Sequence, residues 1–153
     1  MVGGTVRAWG RGAQGKNGDG HKATRLFPVT VTGLNNVVSV SADYETGCAV
    51  LSDGTAWAWG YGRSGNLGNG QYANSSVPVQ ITAITSPVAA VATAGNSIMA
   101  VGTDGSVWSW GYFGFGASGS GGTGANPGQV PGLPATRAVF PADPGPAWFA
   151  AVN

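Results

Sequence analysis

The sequence predicts an all-β fold of repeated four-stranded antiparallel units, the content of β-propeller blades, with about three blades in an incomplete ring. Three observations favour it. The composition is rich in glycine and tryptophan and poor in charge. A motif recurs with a period of about 50 residues. Within each copy, large and small residues alternate as they do in short strands.

The composition supports an ordered β protein. Glycine accounts for 28 of the 153 residues, whereas its average share is about 7%. Charged residues make up 8% of the chain, against an average of about 25%. Disordered chains are depleted in aromatic and β-branched residues, whereas this chain has 10% aromatics, including six tryptophans. Many short strands joined by tight turns fit these numbers.

The charge balance argues against a nucleic-acid partner, because the formal net charge is only +1. A local basic excess in the first 25 residues lacks interleaved aromatics and is interpreted as a solvated loop edge. Its residues are Arg7, Arg11, Lys16, Lys22 and Arg25, opposed by Asp19. No apolar run approaches the ~18 residues of a membrane span.

The chain offers no recognisable catalytic, metal or cofactor site. Cys48 lies in an apolar run and is interpreted as a buried, inert thiol. His21 is the single histidine, too few for a metal site. Asp53 and Asp104 occupy equivalent turn positions, and no carboxylate pair stands out for acid–base chemistry. We therefore expect no enzyme activity and no cofactor.

The internal repeat is clearest around three tryptophan-glycine pairs. Trp9, Trp59 and Trp110 lie 50 and 51 residues apart, each followed by glycine. Downstream glycine-rich loops and Pro-x-x-Val segments also align. The repeat divides the chain into units of approximately 4–53, 54–104 and 105–153.

Each unit reads as four strands. The segment Thr55–Trp59 alternates, so its two tryptophans share a face. Asp53-Gly54 is a hairpin signal, and prolines 28 and 78 suit an outer strand. We expect a blade to run from a proline strand to a tryptophan-glycine strand, over 28–60 and 78–111. A third blade begins at Pro127, and residues 5–9 form a spare strand.

These motifs resemble the regulator of chromosome condensation repeat. Matching segments are Trp59-Gly60, the loop at 65–70, Pro78 to Ile81, Ala100-Val101 and Asp104-Gly105. The family's Gly-Gly-x-His stretch is replaced by residues 43–46 and 94–97, without the histidine. The resemblance implies a propeller scaffold that binds other proteins. Guanine-nucleotide exchange, known in the family, maps onto no residue of this chain.

Two stretches match the dinucleotide fingerprint Gly-x-Gly-x-x-Gly, starting at Gly10 and Gly60. That site needs a helix directly after the glycines, and more glycine, asparagine and serine follow instead. We therefore expect turns here and no bound nucleotide.

The aromatic residues divide into two groups. The aromatic residues at fixed positions inside strands are predicted to pack between blades, with a sugar-stacking surface as the alternative. Together with the adjoining glycines, this group consists of Trp9, Gly10, Trp57, Trp59, Gly60, Trp108, Trp110 and Gly111. The aromatic residues in loops are predicted to bind a partner, with loop anchoring as the alternative. Together with one arginine, this group consists of Tyr61, Arg63, Tyr72, Tyr112, Phe113 and Phe115.

The sequence therefore predicts a non-catalytic scaffold that binds a protein, or a glycan, through glycine- and aromatic-rich loops. The alternative is a regulator or exchange-type factor acting on a partner enzyme. Three blades cannot close a ring, so we expect either a fragment of a longer propeller or self-association. The composition is typical of exported or surface proteins, although no signal peptide is seen, so the compartment stays open.

Overall fold

The chain folds into short antiparallel strands, as the alternation predicts. The computed structural model describes residues 4–112, 124–141 and 149–152, and these contain twelve strands and no α-helix. The strands are β1 (Arg7–Gly10), β2 (Arg25–Thr30), β3 (Val37–Ala42), β4 (Thr46–Leu51), β5 (Ala56–Gly60), β6 (Ser75–Ile81), β7 (Val88–Ala94), β8 (Ser97–Gly102), β9 (Val107–Gly111), β10 (Gly124–Gln129), β11 (Ala138–Pro141) and β12 (Phe149–Val152). One 3₁₀ turn, Ala13–Gly15, lies between β1 and β2.

The strands form two complete blades flanked by two half-blades. Blade A has the order β3-β4-β5-β6, and blade B has the order β7-β8-β9-β10. β1 and β2 form the N-terminal pair, and β11 and β12 form the C-terminal pair. The N-terminal pair is equivalent to the third and fourth strands of a blade, and the C-terminal pair to the first and second. The strands therefore amount to three blades, as predicted.

The expected blade boundaries, 28–60 and 78–111, are wrong. The proline strand β6 pairs with the preceding tryptophan-glycine strand β5, with Ala58 opposite Val79. A blade thus ends with its proline strand, because the long loop after the tryptophan-glycine pair is a hairpin connection within one sheet. Pro78 lies in the outer strand, where a missing N–H costs little.

The Asp-Gly turns are stabilised by a network of side-chain hydrogen bonds that is the same in blades A and B. Asp53 Oδ1 accepts hydrogen bonds from the Thr55 amide at 2.9 Å and the Thr55 hydroxyl at 2.7 Å. The same hydroxyl accepts from Trp57 Nε1 at 3.0 Å. Asp104, Ser106 and Trp108 repeat the arrangement in blade B.

The hydrophobic core lies between neighbouring sheets rather than within one. One cluster packs the N-terminal pair against blade A around Trp59 and Val31. A second packs blade A against blade B around Cys48, Val91 and Trp110. A third joins blade B to the C-terminal pair through Val139. Each sheet therefore depends on its neighbours for burial, as expected for a repeat array.

Candidate binding surface at the loop end

The loops predicted to bind a partner lie at one end of the blades. The β3–β4 and β5–β6 connections of blade A leave the same end, because consecutive antiparallel strands reverse direction. The β1–β2, β7–β8 and β9–β10 connections leave the equivalent end of their sheets. We call this the loop end. The Asp-Gly turns lie at the opposite end.

Four of the six predicted binding residues lie in loop-end segments of the described chain. Tyr72 is 62% exposed, and Tyr112 is 59% exposed. Arg63 is exposed and Tyr61 is half-buried. Phe113 and Phe115 lie outside the described residues. The structure thus places the four on the same end of neighbouring blades.

The backbone around these tyrosines is fixed by hydrogen bonds, while their rings face outward to different degrees. The Tyr61 amide donates to the Glu45 carbonyl at 3.0 Å, and the Tyr112 amide donates to the Asn96 carbonyl at 2.8 Å. The Gly62 amide donates to Asn74 Oδ1 at 3.0 Å. Such a surface presents its aromatic rings on an ordered frame, which lowers the entropic cost of binding.

A basic–aromatic cluster at the loop end was not singled out from the sequence. Lys16 Nζ lies 4.3 Å from the ring centroid of Tyr44 and donates to the Tyr44 carbonyl at 2.8 Å. It also lies 3.7 Å from Glu45 Oε2. Tyr44 itself is 71% exposed. Lys16 and Tyr44 are 28 residues apart, so only the fold brings them together; the one sequence signal was Tyr44's position in the segment that replaces the family's Gly-Gly-x-His.

Asp43 shapes the electrostatics of this cluster. Burial raises the pKa of its carboxyl above the ordinary value, although hydrogen bonds from the Glu45 and Thr46 amides oppose the rise. Both amides donate to Oδ1 at 2.8 Å. Oδ2 is buried and has no hydrogen-bond partner. The carboxyl is therefore a turn-forming group that keeps one acceptor unused.

Two of the predicted packing tryptophans are sealed by the loop of the preceding sheet. Trp59 Nε1 donates to the Lys16 carbonyl at 2.9 Å, and Trp110 Nε1 donates to the Asn66 carbonyl at 2.8 Å. Both side chains are almost fully buried. Trp57 and Trp108 are half-buried against the same clusters. The glycines after the terminal tryptophans, Gly10, Gly60 and Gly111, share φ near +100°, a conformation that favours glycine.

Trp9 departs from the expected packing role. Its side chain is 64% exposed, because no preceding loop in the described residues lies where Lys16 and Asn66 cover the other two tryptophans. Trp9 instead lines a cavity of about 440 Å³ between the N-terminal pair and blade A. None of Tyr61, Arg63, Tyr72 and Tyr112 lines this cavity.

The dinucleotide-like glycines serve packing. A Cβ on Gly62 would lie 2.0 Å from the Ala73 carbonyl oxygen, and one on Gly12 would lie 1.9 Å from that of Ala23. The three-residue 3₁₀ turn Ala13–Gly15 follows β1 where the fingerprint requires a helix. These glycines let each loop fold tightly over itself.

The remaining reactive side chains stand apart from one another. Cys48 is fully buried, and burial raises the pKa of its thiol well above the ordinary value. His21 lies at the exposed β1–β2 loop. Within residues 4–112, 124–141 and 149–152, no group of three His, Cys, Asp or Glu side chains is arranged to hold a metal ion. The same residues include no helix long and apolar enough to cross a membrane.

Comparison with known proteins supports this architecture. The regulator of chromosome condensation (RCC1) repeat matches residues 53–101, a stretch that begins in blade A and ends in blade B. No curated protein sequence matches the chain.

Solved structures match the fold over most of the chain. Human WBSCR16 is 24% identical, with a TM-score of 0.77, over 90% of this chain and 38% of its own. Prp20p from Saccharomyces cerevisiae is described with its binding properties to Gsp1p and histones. It is 19% identical, with a TM-score of 0.79, and the match covers 96% of this chain and 39% of Prp20p. Yeast RCC1 (Prp20) bound to Kap60 is 18% identical, with a TM-score of 0.70, and the match covers 90% of this chain and 36% of that structure's chain.

The chain spans less than two fifths of the length of each of these structures. The likeness therefore concerns the fold. Together with the repeat match and the blade topology, it identifies this chain as an array of β-propeller blades that contains an RCC1-type repeat.

Proposed function

We propose that the chain is a non-enzymatic scaffold that binds a protein partner through its loop end. The observation that carries the proposal is the exposure of Tyr44, Tyr72 and Tyr112 on loops of neighbouring sheets, with Arg63 and Lys16 among them. Tyrosine and arginine are the residue types that dominate binding energy at protein interfaces. The loops are anchored by backbone hydrogen bonds, so the rings are presented in a defined arrangement.

The structural relatives point the same way. Prp20p is described with its binding to Gsp1p and histones, and yeast RCC1 (Prp20) is described in complex with Kap60. These partners belong to those proteins. What is carried over to this chain is the class of function, which is recognition of another protein by a propeller. Glycan binding and the regulation of a partner enzyme by nucleotide exchange are the competing assignments.

The experiment compares two matched variants of the whole chain. The loop-end variant replaces the exposed residues Tyr44, Arg63, Tyr72 and Tyr112 by alanine. The control replaces exposed Leu133 and Arg137, which lie in the β10–β11 connection at the opposite end. Proteins cross-linked to the wild-type chain in cells are identified, produced in pure form and titrated against all three chains by calorimetry.

The proposal predicts that a partner binds the wild type and the control alike and binds the loop-end variant at least about tenfold more weakly, a loss of about 1.4 kcal/mol. Equal binding by all three chains would refute it. Binding to a glycan array that the loop-end variant loses would favour the glycan assignment. Faster nucleotide release from a partner GTPase in the presence of the chain would favour the exchange assignment.

A further inference from the structure

We propose that two copies of this chain complete each other's half-blades, with β12 of one copy pairing with β1 of the other. The inference concerns a different surface from the loop end and does not depend on the proposed function. It rests on four features of the N-terminal pair and of the face of blade A beside it, and on the nature of the C-terminal pair.

The first feature is a free strand edge. In blades A and B, the third strand is bonded on both sides, to the second and to the fourth strand. β1 is the equivalent of the third strand, and in the described residues it pairs only with β2. An unpaired strand edge is a template for another strand.

The direction of the backbone groups on β1 identifies which residues face this edge. The Val31 amide donates to the Val6 carbonyl, so Val6 faces β2. Because bonding directions alternate along an antiparallel strand, Thr5 and Arg7 face the free edge. In the full blades, the equivalents of Thr5 already bond the second strand: the Thr55 carbonyl accepts from Leu51, and the Ser106 carbonyl accepts from Gly102.

The second and third features are apolar side chains that lack the cover their counterparts have. Val40 in blade A is 56% exposed, whereas Val91, at the same position in blade B, is 8% exposed. Val91 packs in one cluster with Cys48 and Val50 of β4, the second strand of the preceding blade. Trp9 is 64% exposed, whereas Trp59 is buried. The Val40 difference arises where a second strand would lie beside β1, and the Trp9 difference arises where a preceding loop, like the one that covers Trp59, would lie.

The fourth feature is the cavity of about 440 Å³, whose lining includes Val40, Ala42 and Trp9. Between blades A and B the equivalent space is filled by the cluster around Cys48 and Val91. A second strand placed along β1 would therefore enter an existing space and would cover Val40.

The chain itself carries a strand pair of the required kind. β11 and β12 are antiparallel and correspond to the first and second strands of a blade, with Phe140 opposite Ala150. The same copy cannot use them, because its three blades fall short of the about four to eight that close a ring. Two copies supply six blades. Their combined net charge is small, since each copy carries +1.

The register of the pairing follows from blades A and B. Cys48 lies opposite Ala58, and Met99 lies opposite Ser109. Val139 pairs with Ala151 as Val91 pairs with Ala100, so the same position of the repeat holds Ala150 in β12 and Ala8 in β1. Ala150 of one copy is therefore expected opposite Ala8 of the other, and Ala151 opposite Arg7.

The first test is the mass of the chain in solution, measured by light scattering over a wide concentration range. The proposal predicts a species of twice the 15.2 kDa chain mass. Arg7→Pro removes an amide that faces the free edge and should raise the dimer dissociation constant by about tenfold or more. Arg7→Ala keeps that amide and should leave the mass unchanged. A folded monomer at all concentrations, or a polydisperse aggregate without a dimer, would overturn the proposal.

A second pair of variants leaves the edge amides intact and tests the register. Ala8→Cys combined with Ala150→Cys should form an intermolecular disulfide on oxidation, because residues directly opposite in a sheet lie within bonding reach. Ala8→Cys combined with Phe149→Cys shifts the register by one residue and should not. Native Cys48 is fully buried and does not compete. Equal cross-linking of both variants, or of neither, would contradict the pairing.

Discussion

The indole nitrogen of Trp110 donates a hydrogen bond to the backbone carbonyl of Asn66 over 2.8 Å. The two residues belong to neighbouring sheets, and Trp59 makes the same contact with Lys16. Each blade is thus joined to the preceding one by a tryptophan sealed under a glycine-rich loop. The tryptophan-glycine pair recurs in the sequence because each copy of the repeat provides the tryptophan for such a contact.

Glycine is required where these loops cross the tryptophan. Gly18 has φ +63°, and a Cβ there would lie 2.8 Å from Val31 Cγ1 and 2.9 Å from Trp59 Cδ1. Gly20 also has positive φ, but a Cβ there would meet nothing within 4 Å. Gly18→Ala should therefore unfold at lower denaturant than Gly20→Ala, with an additional loss of about 1–3 kcal/mol from overpacking. Equal midpoints in urea would show that the loop does not press on Trp59.

The loop leucine is expected to stabilise the interface between blades A and B. Leu67 is fully buried in the cluster that joins these blades, whereas Leu26 is 82% exposed. Leu67→Ala should reduce the free energy of unfolding by about 2–5 kcal/mol. Leu26→Ala, the matched control, should change it by less than about 0.5 kcal/mol. Chemical denaturation of both variants measures the difference, and a small loss for Leu67→Ala would contradict the packing.

The stability of the chain should depend on the ionisation of Asp43. Its pKa is raised by burial, so the folded state holds the proton more tightly than the unfolded state does. This contribution to stability is fully present below the ordinary pKa of about 3.8 and is lost as the pH rises through the raised value. Asp43→Asn should therefore gain stability relative to the wild type as the pH rises from acid to neutral.

Asp53 provides a control of opposite sign. Hydrogen bonds from the Thr55 amide and hydroxyl lower the pKa of its carboxyl, so its contribution is present above the ordinary value and is lost as the pH falls through the lowered one. Melting temperatures of Asp43→Asn and Asp53→Asn between acid and neutral pH should diverge from the wild type in opposite directions. A shared direction would contradict the assigned environments.

The strands and turns could be predicted from the sequence because they depend on local patterns. The alternation at 55–59 and the Asp53-Gly54 pair specify a strand and a hairpin whatever surrounds them. The blade boundary could not be read from the period, since a repeat shows where motifs recur but not which strand begins a sheet. Pro78 is compatible with an outer strand whether that strand begins or ends a blade. Only the pairing of its strand with β5 shows that the strand ends blade A. The units 4–53, 54–104 and 105–153 describe the period and stay a prediction.

The candidate site was harder to predict than the fold. Trp9 and Trp59 occupy the same local sequence pattern, yet one is exposed and the other is buried, because burial depends on the neighbouring sheet. Lys16 and Tyr44 meet only through the packing of the N-terminal pair on blade A. The loop tyrosines, by contrast, could be singled out because glycine-rich hairpin loops leave large side chains with little core to enter.

The central claim is that tryptophans docked under the preceding loop hold the blades together. The most direct test compares the free energies of unfolding of Trp59→Ala and Tyr61→Ala, two aromatic truncations separated by one residue. Trp59 is almost fully buried and hydrogen-bonded to Lys16, whereas Tyr61 is a half-buried loop residue. We predict a loss of about 3–5 kcal/mol for Trp59→Ala and of about 1 kcal/mol for Tyr61→Ala. Equal losses would contradict the account.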